Sequence, residues 1–149
     1  MTLEEQGALF LEALRRTRVA VPEGTLLYRA AGEVLEMAAA YHSDGMTFLR
    51  AGDLVNALAG FAYGLGWLDA GSRLGLLEPS IAHPPGAAGA CIPAALAARL
   101  DEKTHRYQRM LEIALSAVET GPDEASPLSR GAEELRSTAR SWYTDGVGR

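Results

Sequence analysis

Residues 54–68, LVNALAGFAYGLGWL, contain no charged side chain and sit between Asp53 and Asp69. Their apolar spacing is helical, with Leu54, Ala57, Leu58, Phe61, Leu65 and Leu68 on one side. Val55, Ala59, Ala62, Tyr63, Gly66 and Trp67 populate the opposite side, so the helix is apolar nearly all round. Such a helix belongs in the middle of something, covered by more than one neighbour. The run is too short to span a bilayer, so its cover must be protein. Gly60, Gly64 and Gly66 would let neighbouring backbones approach closely, at a cost of roughly 1 kcal/mol each relative to alanine.

The remainder of the chain offers the neighbours. Alternating strand-like runs are absent, and apolar residues recur at three and four, so the expected class is all-α. Thr2 and Glu5 form a capping box ahead of a first helix over about residues 3–18. Pro22-Glu23-Gly24 breaks the chain before Thr25 caps a second helix running to about Arg50. The inward stripe of that helix is Leu27, Ala30, Ala31, Val34, Ala38, Tyr41, Gly45 and Phe48. Gly52-Asp53 makes a tight turn, and Asp53 is placed to accept from the free N–H groups opening the third helix, which ends near Gly71 to Gly75. Residues 77–92, rich in Pro, Ala and Gly, read as a linker. Pro93 suits the first turn of a fourth helix, striped by Leu96, Leu100, Tyr107, Leu111, Ala114 and Val118 and stopped by Gly121-Pro122. Ser126-Pro127 opens a fifth, striped by Leu128, Ala132, Leu135, Ala139 and Trp142. The expected architecture is an up-and-down three-helix bundle over residues 1–76, a linker, and a two-helix hairpin over 93–149.

That hairpin echoes the first two helices. Residues 13–45 laid over 114–146, with a constant offset of 101 and no gap, agree at ten of 33 positions, including Leu27, Ala31, Ala38, Asp44 and Gly45. The cap Thr25 meets Ser126, Val34 meets Leu135, and Tyr41 meets Trp142, so structural roles recur along with letters. The second copy stops where the first continues into its third helix. A truncated hairpin and a helix apolar on both sides suggest docking, within one chain or between two. Val55, Tyr63 and Trp67 on one side, with Leu128, Leu135 and Trp142 on the other, are the expected contact surface. A homodimer is slightly favoured, its two central helices meeting at Gly60, Gly64 and Gly66.

Composition narrows the partners. The net charge of -5 divides into -3 over residues 1–75 and -2 beyond, so no basic face invites nucleic acid. The acidic start, Met1-Thr2-Leu3-Glu4-Glu5, is unlike a signal peptide, and the lone Cys91 cannot form an internal disulfide. A cytoplasmic protein, without membrane or cofactor, is expected.

The segment AAAYHSDGMTFLRAGDLVNALAGFAYGLGWLDAGSRLGLL resembles the archaeal domain of unknown function number 357. Members show a similar tyrosine and aspartate before a glycine-aspartate turn, then an alanine-rich helix ending in a phrase like Gly66-Trp67-Leu68-Asp69-Ala70-Gly71. The resemblance covers roughly residues 3–77 and implies a three-helix bundle, an archaeal source and no established activity. The turn at Gly52-Asp53 also looks like that of a tetratricopeptide hairpin, which points to binding modules as a class.

Few residues are candidates for chemistry. His42, Asp44 and Asp69 form the most suggestive polar set, but Asp44 and Asp69 fall at different heights along an antiparallel pair, so a metal site is not expected. Asp44 is instead expected to accept a hydrogen bond from Trp67 or a tyrosine, and Asp69 to pair at the end of its helix. Arg99 and His105 loosely resemble the arginine-then-histidine spacing of HEPN-type ribonucleases, in which the first steadies phosphate and the second moves a proton. Six residues on a helix separate them by about 120°, and Leu100 replaces the polar residue that usually follows the arginine. His83, before Pro84-Pro85, has no sequence partner. The leading expectation is therefore a non-enzymatic, self-associating interaction or scaffold module; the alternative is a small HEPN-like nuclease or nucleotide-processing component using Arg99 and His105.

Overall fold

The computed structural model describes residues 1–79, 92–117 and 125–147, and the chain divides into two compact units, Met1–Ala94 and Ala95–Arg149. In the first, α1 (Leu3–Arg16) opens with Thr2 Oγ1 accepting from Glu5 N–H while the Glu5 carboxylate accepts from Thr2 N–H. It ends at Arg16 rather than near 18, because Thr17 turns to extended backbone and Arg18–Val19 becomes a short strand, β1. Helix α2 (Leu26–Arg50) starts at Thr25, whose hydroxyl accepts from Tyr28 N–H at 3.1 Å. A turn through Gly52, with φ of 76°, reverses the chain into α3 (Leu54–Arg73). Leu77–Glu78 then pairs antiparallel with β1 as β2, Arg18 opposite Glu78 and Val19 opposite Leu77. Two-residue strands carry no detectable alternation, so the sequence pattern does not announce them. Leu76 and Leu77 are buried in the core, which extends the first unit beyond the expected boundary at residue 76. Residues 80–91, with His83 and Cys91, lie outside the described residues.

The two long helices meet along a seam of small residues. On α2 the buried positions are Ala31, Ala38 and Gly45, seven apart; α3 answers with Ala57, Gly60, Gly64 and Gly71. A Cβ added at Gly60 would lie 3.1 Å from Gly45 Cα and 3.3 Å from the Tyr41 carbonyl oxygen, so the helices are in backbone contact there. The seam supplies proximity but little bulk. Bulk comes from Phe10 of α1, lodged against Gly64, and from Phe61 of α3, lodged against Gly7 and Gly45. The rings of Phe10 and Phe61, 0% and 1% exposed, sit edge to face at 6.4 Å, and Leu3, Leu68, Leu76 and Leu77 complete the core.

This packing corrects the expectation of a glycine surface between chains. Gly60 and Gly64 are spent inside the unit, and only Gly66 faces open space. The expected α2 stripe is also narrower than its spacing suggests: Leu27 and Phe48 are each 39% exposed.

In the second unit, Ala97–Ala117 forms α4 and Pro127–Val147 forms α5. The described residues of α4 include none that is fully buried; Leu96, Leu100, Tyr107, Leu111 and Leu115 form a half-buried stripe along and just before it. Ala114, expected on that stripe, is exposed, and so are Met110 and Ile113. Ser126 Oγ accepts from Ser129 N–H at 3.0 Å, repeating the Thr25 cap at the 101-residue offset. Burial does not follow the same offset: Ala31 is completely buried, whereas Ala132 is exposed.

Candidate functional site

Beside the seam, on the side away from His42 and Met46, side chains of α2 and α3 line a groove. Ala30, Val34 and Met37 follow one another at four and three residues on α2, and Trp67 meets them from α3. They line an open groove of about 390 Å³ whose two charged lining residues are Glu33 and Glu36. Met37 and Trp67 remain 38% and 37% exposed, so the apolar floor of the groove is accessible. One turn nearer the α2–α3 connection, Tyr41 and Tyr63 extend the same face, their rings 5.4 Å apart and tilted by 32°.

The expected contact residues separate in this frame. Trp67 is in the groove and Tyr63 is half-buried beside it, both on the α2-facing shoulder of α3 rather than on its far side. At 100° per residue they lie only about 60–100° from the buried face, too near to be its opposite. Val55 is 0% exposed and is no part of an open surface. Leu135 is half-buried on α5; the side chains of Leu128 and Trp142, like Val118, lie outside the described residues. Ala30, Glu33, Val34, Glu36 and Met37 were the groove residues missing from the expected surface. Ala30 and Val34 belong to the expected inward stripe of α2, whose spacing alone does not tell that this shoulder lines a groove.

The polar candidates do not converge. His42 Nε2 donates to the Gly7 carbonyl at 3.0 Å, and its ring sits edge-on to Phe10 at 5.2 Å, so it ties α1 to α2. Asp44, expected as a buried acceptor, is exposed, because the adjacent Gly45 takes the seam position and turns Asp44 to the outer surface. Asp53 caps α3, accepting from Asn56 N–H at 3.2 Å and Asn56 Nδ2 at 2.7 Å. Asp69 pairs with Arg73 Nε at 2.9 Å along α3. On α4, His105 is exposed and its Nδ1 donates to the Asp101 carbonyl one turn back at 2.9 Å. Arg99 is also exposed, about 120° around the same helix. The chain therefore brings neither Arg99 with His105 nor His42 with Asp44 into a cleft. Among the described residues no group of three or more His, Cys, Asp or Glu can hold a metal ion, and no helix is long and apolar enough to cross a membrane.

Residues 8–77 match the model of a family described as a protein of unknown function, DUF357. No curated protein and no solved structure matches the chain.

Proposed function

We propose, for a chain whose residues 8–77 belong to that family, a non-enzymatic helical interaction module that works by self-association through the α2–α3 face. The observation that carries this is the groove itself: a closed core on one side of the seam, and Met37, Trp67 and their neighbours left open on the other. The second unit supports it, since its described residues bury no large apolar side chain while exposing Met110 and Ile113. We read that unit as a second copy of the α1–α2 hairpin, on the strength of the matching caps at Thr25 and Ser126. The lone Cys91 and dispersed acidic charge favour a cytoplasmic setting with protein partners rather than nucleic acid.

Sedimentation of the full chain from about 1 to 100 μM, a range spanning ordinary reversible association, tests the reading. A mass rising to that of two chains is expected, with the emission of Trp67, read in a Trp142→Phe variant, shifting to the blue as the groove is covered. A monodisperse monomer throughout, with constant emission, refutes it.

A further inference from the structure

The groove has two requirements: its floor is apolar and its charged rim is acidic, from Glu33 and Glu36. A fitting occupant is an amphipathic helix with large apolar anchors flanked by arginines, laid into the groove in the helix-in-groove mode. The chain carries such a face. On α4, Met110 and Ile113 are 52% and 68% exposed, and Arg106 and Arg109 are exposed beside them. At 100° per residue, Arg106, Arg109, Met110 and Ile113 fall within about 100° of one another, with the i, i+3, i+4, i+7 spacing of a groove ligand. This arc is distinct from the half-buried stripe of Leu96, Leu100, Tyr107 and Leu111, so it is not used by the hairpin's own packing. Glu102 pairs with Arg106 at one margin. Asp69 and Arg73, paired with each other on α3, do not line the groove, whose charged lining residues are the two glutamates.

We propose, resting on the self-association reading above, that the occupant of the α2–α3 groove is α4 of a second copy of this chain, with Met110 and Ile113 seated against Met37 and Trp67. Arg106 and Arg109 then face Glu33 and Glu36. Charge complementarity between the acidic rim and the arginines beside Met110 and Ile113 selects the pairing and its orientation. Each copy owns one groove and one α4, so a reciprocal exchange between two copies fills both grooves in a two-fold dimer.

Reversing the charges at exposed positions tests this without touching the core. In the full chain, Glu33→Arg with Glu36→Arg, and separately Arg106→Glu with Arg109→Glu, should each weaken dimerisation by about tenfold or more in sedimentation equilibrium. Circular dichroism confirms that each variant remains folded. Mixing the two variants should restore association, since one groove–helix pair is then wild type and the other is reversed on both sides. If the wild-type chain dimerises but neither variant weakens it, or the mixture does not recover, α4 is not the occupant, although self-association stands. If the wild type is a monomer at every concentration, self-association itself fails and this proposal falls with it.

Discussion

Among the glycines of α3, position decides the sign of a substitution. A methyl at Gly64 would run into the ring of Phe10, which is 0% exposed and held between His42 and Phe61, so the ring has nowhere to go. Gly64→Ala gains about 1 kcal/mol of helix propensity and loses more to overpacking, which typically costs about 1–3 kcal/mol. A net destabilisation near 1 kcal/mol is expected. Gly66, two residues on, meets nothing within 4 Å, so Gly66→Ala should stabilise by up to about 1 kcal/mol. Urea denaturation of the two variants gives the comparison; shifts of the same sign would mean that Phe10 does not occupy the Gly64 notch. His42 shows how the same packing reassigns a suggestive residue, its imidazole being committed to the Gly7 carbonyl rather than available for proton transfer.

Helix starts rest on local chemistry, and each can be removed singly. Asp53→Ala deletes the carboxylate that accepts from both Asn56 donors, and should cost about 1 kcal/mol in the thermal unfolding of the first unit. No change would mean that α3 is held by its neighbours alone. The same locality explains what the sequence discloses. Thr2, Thr25, Asp53 and Ser126 name their helices because a cap needs only the next three residues, and the helical class follows from spacing alone. The side each helix presents is a different matter. On α3 nearly every position is apolar, so the pattern has no polar face to point outward, and Gly60 fits a contact inside the unit as well as one between chains. The groove is half legible: Trp67 stands on the expected contact surface, whereas Ala30 and Val34 fall on the expected inward stripe and Met37 on neither, because the pattern of α2 alone does not reveal which shoulder its neighbours cover. The clip between β1 and β2 depends on partners 60 residues apart, Arg18 and Glu78, and no local signal marks either.

For the molecule as a whole, cooperativity should reside in the first unit, since every residue of the core cluster and of the shell packed on it lies between Leu3 and Ile92. A fragment of residues 1–94 is expected to retain the main denaturation transition of the full chain at low concentration and, if α4 is the groove's occupant, to show no concentration dependence. A fragment that unfolds at markedly lower urea than the dilute full chain would show that the second unit contributes to that core. The backbone contact between Gly45 and Gly60 also bears on the order of events in time. It closes a short loop around the turn at Gly52, which costs little entropy, whereas Phe10 must find Gly64 from far along the chain. The α2–α3 pair is therefore expected to form the nucleus, with α1 docking after the barrier. In stopped-flow urea experiments Phe10→Leu should act mainly by speeding unfolding, and Ala38→Gly mainly by slowing folding. The reverse partition would place α1 in the nucleus and make the glycine seam a late closure.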